Sequence, residues 1–384
     1  MPRRRRTLTQ WAARAAAAVL VLLAWMAVSR VRAWPFPVFG PGAEAVGSTV
    51  YRMLPGDTPY TRWVAATRAS RPTFSGLLIQ DVRTYPLKPW PQMGVNGLYI
   101  QMADYQIIDG WLLEIPPGGS TTPQRHLFEA GLYFLGGPGH TILQQEGRAP
   151  QRVDWKYRTL LSIPLNVRYQ HFNDGDTPVR LVAVTSFPYV INSTDSVPFV
   201  FENQFEFHDR YDGEPDFASR QPQHQKNRTE INVIDDALAF ELDDHGVRGT
   251  GATNMHWSMA GNTMVDLHAS EIPARIYKRA HRHSSDAFIL LLSGQGYSLT
   301  WPEGQYGKRI RVDWQEGTLF VPPIYWYHQH LNPGATPARY LAINASMLVG
   351  RLGLRFHDQL EPDLTEIEQD FAAEVARRAA TAAP

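Results

Sequence analysis

Four histidines, arranged as two pairs, are the residues of this chain best suited to chemistry. His281 and His283 are separated by one residue, and so are His328 and His330. In a β-strand alternate side chains share one face, so each pair would present two imidazoles on the same side of its strand. Two such strands side by side could bring two or three ring nitrogens around one ion. Imidazole suits Fe, Mn, Ni, Cu and Zn, so the pattern indicates a transition-metal site without selecting the metal.

The composition excludes several other kinds of chemistry. The 384 residues include no cysteine, which rules out disulfides, thiolate nucleophiles and cysteine-based zinc or iron–sulfur sites. Basic and acidic residues number 37 each, and this zero net charge gives no indication of nucleic-acid binding. Because 43% of the residues are hydrophobic and only 19% are charged, the chain is not disordered, and its length suits two domains.

The segments that must position the histidines occur twice in the chain. Residues 152–180 align without a gap with residues 311–339, and residues 124–139 align with residues 281–296. One unit of about 100 residues is therefore repeated. Each copy contains short alternating or apolar runs bounded by Gly, Pro and Asp, a pattern typical of antiparallel barrels and jelly rolls.

The second copy resembles the cupin superfamily in two motifs with matching spacing. The first motif is Gly, five residues, His-x-His, three or four residues, Glu, six residues, Gly. The second is Gly, five residues, Pro-x-Gly, two residues, His, three residues, Asn. Arg275 and Tyr325 stand where the family has glycine, and Ala287 stands where it has glutamate. The matching positions are Arg275, His281, His283, Ala287 and Gly294, then Gly317, Pro323, Tyr325, His328 and Asn332.

This resemblance implies an all-β fold of two cupin (jelly-roll) barrels in one chain, with His281, His283 and His328 as metal ligands. The absent glutamate leaves three neutral ligands, as in the gentisate and salicylate type of ring-cleaving dioxygenase. It argues against the oxalate decarboxylase type, which needs that glutamate. The second copy is also similar to bacterial bicupins labelled ethanolamine ammonia-lyase-activating.

The resemblance also implies a cofactor and a substrate class. One divalent transition metal is expected, with Fe(II) favoured over Mn, Ni and Zn, and the expected substrate is a small hydroxy-carboxylate or aromatic acid. Two other classes remain open. One is a cupin binding or accessory protein without turnover, and the other is a different cupin metalloenzyme, such as an isomerase or a lyase.

Residues near the three ligands are given hypothetical roles. Arg279 shares strand parity with His281 and could clamp a substrate carboxylate, unless the strand begins later and Arg279 lies at the solvated barrel mouth. His330 could orient a ligand or close the pocket from outside the ligand set. Asp286 is expected on the face turned away from the metal, and the aligned Glu129 is expected to face out of its barrel.

The first copy retains the frame of the motifs but has lost most of the ligands. One or two imidazoles make a poor transition-metal site, so this barrel is predicted to be structural or to bind a small molecule without metal. His171 aligns with His330, not with a ligand. The positions of the three ligands are taken by Gln124, His126 and Tyr169.

The N-terminus has the pattern of a secretory signal. Arg3 to Arg6 precede an apolar run over residues 15–28, and cleavage is expected after Ala33. Without cleavage, the run would form an N-terminal apolar helix that anchors the protein in the membrane. Both interpretations place the body of the protein across the inner membrane, in the periplasm or another extracytoplasmic space.

Helices are predicted at both ends of the folded part. Thr58 and Pro59 suit the N-cap and first position of a helix. Near the C-terminus, an apolar stripe predicts an amphipathic helix that packs on the body or on a second subunit, and we expect at least a homodimer. The stripe consists of Leu364, Ile367, Phe371 and Val375.

Together these patterns divide the chain into six segments. They are a signal peptide or membrane anchor, an extension, a first barrel without its metal ligands, a linker with first strands, a second barrel with the metal site, and a C-terminal helix. In that order the predicted segments are residues 1–33, 34–85, 86–200, 201–250, 251–350 and 351–384.

Overall fold

Strands dominate the part of the chain that the computed structural model describes, which is residues 57–361 and 364–381. From Thr58 onward the chain forms one compact unit. The apolar run of residues 15–28, and with it the expected signal peptide or anchor, lies outside the described residues. Within the described ranges no helix is long and apolar enough to cross a membrane.

The first half of the described chain contains three helices and eleven strands, besides a short 3₁₀ turn at Arg68–Ser70. In chain order they are α1 (Pro59–Thr67), β1 (Thr73–Gly76), β2 (Leu78–Ile79), β3 (Lys88–Trp90), β4 (Val95–Met102), β5 (Asp109–Ile115), β6 (Ala130–Phe134), β7 (Gly139–Gln144), β8 (Gln151–Trp155), β9 (Leu160–Ile163), β10 (Arg168–Asn173), β11 (Val179–Thr185), α2 (Phe187–Thr194) and α3 (Val197–Phe201).

The second half contains fifteen strands and two helices, besides 3₁₀ turns at Gly246–Arg248 and Tyr306–Lys308. In chain order they are β12 (Gln223–Gln225), β13 (Arg228–Glu230), β14 (Val233–Ile234), β15 (Asp243–Asp244), β16 (Thr253–Ser258), β17 (Asp266–Ile272), β18 (Ile276–Tyr277), β19 (His281–His283), β20 (Ala287–Ser293), β21 (Gln295–Trp301), β22 (Ile310–Gln315), β23 (Leu319–Phe320), β24 (Tyr327–Asn332), β25 (Ala338–Asn344), α4 (Ser346–Arg351), β26 (His357–Gln359) and α5 (Thr365–Thr381).

Each half folds a large sheet against a small one. In the first half the strand orders are β1-β4-β5-β11-β6-β9-β14, with β3 beside β4, and β10-β7-β8. In the second they are β12-β13-β16-β17-β25-β20-β23-β2, with β15 beside β16, and β22-β21-β24-β19-β26, with β18 beside β24. Aligned segments of the sequence occupy equivalent strands, so the sequence repeat is a repeat of the fold. We call the two units the first and the second barrel.

The two barrels exchange strands. β2 precedes the first barrel in sequence, yet it pairs with β23 of the second barrel, with Leu78 opposite Phe320. β14 precedes the second barrel and pairs with β9 of the first, with Val233 opposite Leu161. The predicted extension thus supplies a strand to the second barrel and the predicted linker supplies one to the first, which ties the two barrels into one unit.

The large sheets of the two barrels pack against each other through one apolar layer. Leu341 and Ile343 on β25 belong to that layer, together with Leu98 and Leu112 of the first barrel. Because successive strand residues point to opposite faces, Tyr340 and Ala342, which flank Leu341 along β25, face the interior of the second barrel. The alternation thus assigns one face of each large sheet to the contact and the other to the barrel interior.

Each barrel contributes one buried carboxylate that accepts hydrogen bonds from the backbone of the other barrel across this contact. Glu129 faces away from its barrel interior, as expected, but it is fully buried. It accepts hydrogen bonds of 2.6–2.9 Å from the backbone N–H groups of residues 263–265 and one of 2.9 Å from Arg210. Asp286 accepts from the N–H groups of residues 107 and 108 at 2.9 and 3.2 Å. These loops are equivalent in the repeat, so the contact has approximate twofold symmetry.

The predicted helices form at both ends. Thr58 caps α1 reciprocally with Thr61: each hydroxyl accepts from the other residue's backbone N–H, at 3.2 and 2.9 Å. In α5, Ile367 and Phe371 are buried against the outer face of the second barrel's small sheet, beside Tyr297. The stripe thus packs on the chain's own body, and the expected homo-oligomer stays a prediction.

Candidate metal centre

Two neighbouring antiparallel strands position the predicted metal ligands. His281 on β19 lies opposite His328 on β24. Between His281 and His283, Arg282 points to the opposite face, where its guanidinium donates to Glu303 at 2.7 and 2.8 Å and to Asp358 at 2.9 Å. This outer network fixes the face of the strand that each side chain occupies, so both histidines of β19 face inward.

The three imidazoles converge. One ring nitrogen from each of His281, His283 and His328 lies within 4.8 Å of the others. The ring centroids are 4.3 Å apart for His281 and His328, 4.9 Å for His283 and His328, and 5.8 Å for His281 and His283. A cluster of three nitrogens at such spacing has the donor set of a mononuclear metal centre.

Backbone carbonyls fix the tautomer of all three rings. Nδ1 of His281 lies 3.1 Å from the carbonyl oxygen of Arg279, Nδ1 of His283 lies 2.9 Å from that of Ser285, and Nδ1 of His328 lies 3.2 Å from that of Trp326. Because a carbonyl can only accept, each Nδ1 must carry the proton. Each Nε2 then keeps its lone pair, which is the arrangement that second-shell hydrogen bonds impose on metal-binding histidines.

Burial keeps the three rings neutral. It lowers the pKa of His283 to about 4 and lowers the pKa of His281 and of His328 well below the usual value. The neighbouring imidazoles and Arg248 lower the last two further. Neutral imidazole is the form that binds a metal, so the three residues fit a divalent transition metal at neutral pH.

No carboxylate completes this ligand set among the described residues of the cluster. Ala287 lines the same cavity at the position where the cupin motif has glutamate. The adjacent Asp286 lies on the other face of the strand, as predicted, and binds backbone of the first barrel. An ion held by three neutral ligands would keep its full positive charge, which favours an anionic ligand at its open positions.

The cluster lies in a cavity of about 730 Å³ inside the second barrel. Of the described residues that line it, Asp266 alone carries a carboxylate, whereas cationic side chains are numerous. Besides the three ligands, the lining histidines are His245, His256, His268, His330 and His357. The lining cations are Arg228, Arg248, Lys278, Arg351 and Arg355. This excess of positive charge suits an anionic small molecule.

Arg279 does not line this cavity. Arg279 does not share the strand parity of His281, contrary to the prediction, because β18 ends at Tyr277 and β19 begins only at His281. The Arg279 guanidinium pairs with the exposed Glu361. This position matches the alternative that Arg279 lies at the solvated mouth, and the residue that lines the cavity from this interruption is Lys278.

His330 lies beside the cluster, with its ring centroid 5.7 Å from that of His328. Its Nδ1 is 2.8 Å from the Ser298 hydroxyl, which accepts from the Trp314 indole at 3.0 Å. Burial and then the charge of Lys278 lower the pKa of His330 to about 3. The first barrel repeats this histidine–hydroxyl–indole arrangement without a metal cluster, so it belongs to the shared frame of the fold. The equivalent residues there are His171, Thr141 and Trp155.

The first barrel retains one histidine at a position that aligns with a metal ligand, and its side chain has a different role there. His126 has Nδ1 2.9 Å from the carbonyl oxygen of Phe128 and Nε2 2.9 Å from the hydroxyl of Tyr169, which replaces the third ligand. With both nitrogens hydrogen-bonded, His126 is a satisfied polar residue of the core. Trp111 and Leu181 fill the surrounding interior.

Sequence reasoning missed several residues of the cavity. His256 and His268 lie on β16 and β17 with ring centroids 4.7 Å apart, and His256 Nδ1 is 3.2 Å from Asp266 Oδ2. Lys278 lies in the break between β18 and β19, and Arg248 ends the 3₁₀ turn Gly246–Arg248. The two histidines fall at the inward parity of their strands, a signal that was available, whereas no periodicity indicates the two cations.

Comparisons with known proteins support the fold. No family model matches the sequence, and no curated protein matches it. The structure is similar to salicylate 1,2-dioxygenase from Pseudaminobacter salicylatoxidans, with a TM-score of 0.50 and 13% identity over 67% of this chain and 76% of that chain. It is also similar to a variant of oxalate decarboxylase from Bacillus subtilis, with a TM-score of 0.48 and 13% identity over 72% and 78%. The similarity to the salicylate 1,2-dioxygenase confirms the resemblance to bicupins at the level of the fold.

Proposed function

We propose that this chain is a mononuclear metal-dependent dioxygenase that acts on a small hydroxy-carboxylate or aromatic acid. The observation that carries the proposal is the convergence of His281, His283 and His328, each with a fixed tautomer, in a cavity where the described residues add no fourth ligand to the cluster. When bound, iron(II) would supply Lewis acidity and one-electron chemistry with dioxygen. The similar fold of a salicylate 1,2-dioxygenase agrees with this chemistry.

The chain's own residues would bind and orient the acid. Arg351 and Arg355 line the cavity and have no carboxylate partner among the described residues, so their charges are available to an anion. His256, whose Nδ1 faces Asp266, can accept the proton of a substrate hydroxyl at Nε2.

The test is the metal content and the oxygen consumption of the full chain, purified anaerobically with iron(II) supplied. We expect about one divalent metal per chain, and metal-dependent uptake of dioxygen with a hydroxylated benzoic acid. His283→Ala should remove most of the bound metal while the protein stays folded, because the imidazole fills no core position. His126→Ala is the matched control and should leave the stoichiometry unchanged.

Three outcomes would contradict parts of this proposal. Two metals per chain would show that the first barrel also binds metal. Metal without oxygen uptake would favour an isomerase or lyase on the same fold. Protein that takes up no metal under these conditions would favour a binding or accessory protein.

A further inference from the structure

Lys278 is a buried cation with no acidic partner among the described residues. Its side chain is 4% exposed, and its ammonium donates to the Ser270 hydroxyl at 3.2 Å and to the Tyr340 hydroxyl at 2.9 Å. The ammonium also lies 5.3 Å from the centroid of the Tyr340 ring. No carboxylate forms an ion pair with Lys278 in the part of the chain that the structure describes. Burying an ammonium group destabilises the folded protein unless a counter-charge compensates the lost hydration.

These three residues all line the cavity that contains the metal cluster. Ser270 and Tyr340 lie directly opposite each other on β17 and β25. The backbone N–H of Lys278 donates to the carbonyl of His330 at 2.9 Å, which places the lysine next to the residues around the cluster. An ammonium has three hydrogens, and the two hydroxyls use two of them, so one donor remains.

The first barrel shows that the fold does not need this arrangement. Thr121 occupies the place of Lys278, because its backbone N–H donates in the same way, at 3.0 Å, to His171, the equivalent of His330. The positions of Ser270 and Tyr340 are held by Leu113 and Leu181, which face each other across the strands and belong to the apolar core. All three polar residues are therefore present in the barrel with the histidine cluster and absent from the barrel without it.

We infer that Lys278, held by Ser270 and Tyr340, is the anchor for a carboxylate group of the ligand of this cavity. The ammonium supplies the charge and one N–H donor, and the two hydroxyls hold it in place without neutralising it. The inference rests on the proposed function for the choice of an organic acid, and it names the residue that binds the acid group. Lys278 would act as a substrate-binding residue in addition to the arginines at the cavity wall.

The test measures binding of benzoate and of benzamide, which has nearly the same shape without the charge, to the full chain before and after chelation of metal. We expect benzoate to bind with or without metal, and benzamide to bind at least about 10-fold more weakly. Lys278→Met keeps the apolar stem and should weaken benzoate binding about 10-fold or more while leaving benzamide unchanged. Lys308→Met, at an exposed position outside the cavity, should bind both as the wild type does.

Several results would overturn this inference. They are equal benzoate binding by the wild type and Lys278→Met, no benzoate binding by the wild type, and Lys278-dependent binding of inorganic phosphate alone. If Lys278→Met does not fold, Lys278→Gln, which keeps polar contacts to the two hydroxyls without the charge, makes the same comparison. Because binding is measured without metal, Lys278-dependent binding of benzoate without oxygen uptake would contradict only the proposed dioxygenase.

Discussion

Individual residues divide into those that strand spacing predicts and those that it does not. The cluster of His281, His283 and His328 follows from two-residue spacing on paired strands. The tautomers do not follow, because the carbonyls that fix them belong to Arg279, Ser285 and Trp326, each two residues away along the chain, and their direction depends on local backbone turns. A ligand set was thus readable from the sequence, while its protonation was not.

The missing carboxylate at position 287 is directly testable. In Ala287→Glu, the new carboxylate would reach into the cavity beside the three imidazoles and add an anionic ligand to a dication. We expect the dissociation constant of the metal to fall at least about 10-fold, which corresponds to about 1.4 kcal/mol. We also expect oxygen uptake to fall, because the carboxylate fills a position that substrate or oxygen needs.

Ala287→Gln is the control for this experiment, since it adds a side chain of the same size without the charge. It should not tighten metal binding. If the glutamate variant binds metal no more tightly than the glutamine variant, position 287 does not face the metal.

At the scale of elements, interruptions of strands decide which residues reach the cavity. The period of two correctly places the histidines within β19 and β24, but it cannot be extended across residues 278–280, which separate β18 from β19. That break turns Arg279 to solvent and Lys278 to the interior. Turn positions of this kind depend on backbone dihedrals, which hydrophobic patterning does not encode.

The turns also explain two departures from the cupin motifs. Arg275 and Tyr325 replace motif glycines, yet both adopt the left-handed backbone conformation, with φ of 57° and 62°. Their equivalents in the first barrel, Gly118 and Asn166, have φ of 62° and 59°, and these residue types tolerate the conformation. The second barrel therefore keeps the motif's turn geometry with residues that are strained in it.

Arg275→Gly should accordingly stabilise the protein. Relief of the left-handed strain exceeds the added entropy of the unfolded chain, so we expect a net gain of about 0.5–1 kcal/mol in the free energy of unfolding. Chemical denaturation of the variant and the wild type measures this difference. Gly118→Ala is the mirror experiment. Apart from the two neighbouring residues in the chain, no atom lies within 4 Å of the added methyl, so a loss of about 1 kcal/mol there would come from the backbone alone. A destabilised Arg275→Gly would show that the arginine side chain contributes more than the strain costs.

At the scale of the whole molecule, the sequence repeat predicts two barrels but not how they join. The exchange of β2 and β14 could not be read from the sequence, because two-residue strands carry too little periodicity. Nor could the burial of Glu129, since a strand face turned away from one interior looks solvent-exposed until the second barrel covers it. The contact between the barrels therefore cannot be predicted from the sequence of either repeat alone.

The contact makes stability depend on pH through Asp286. Burial raises the pKa of this carboxyl to about 7, despite two hydrogen bonds from backbone N–H groups, and its Oδ1 has no partner among the described residues. In the unfolded chain an aspartate titrates near about 3.9. Between these values the folded protein holds a proton that the unfolded chain releases, so the stabilisation from Asp286 is complete below the unfolded pKa. It is lost as pH rises through the folded pKa.

We therefore expect Asp286 to lower the free energy of unfolding between about pH 5 and pH 7, by up to about 1.4 kcal/mol per pH unit. The buried histidines act in the opposite direction below about pH 6.5, because their lowered pKa leaves them neutral in the folded protein while the unfolded chain still binds protons. Asp109, whose pKa burial also raises to about 7, adds to this slope. Asp286→Asn removes one of these two carboxyls, so the stability of the variant should increase relative to that of the wild type as pH rises over this range, when both proteins are unfolded in urea at each pH. Asp209→Asn, at an exposed position, should reproduce the wild-type slope. Parallel curves for the wild type and Asp286→Asn would mean that Asp286 is ionised in the folded protein and that its two backbone hydrogen bonds outweigh its burial.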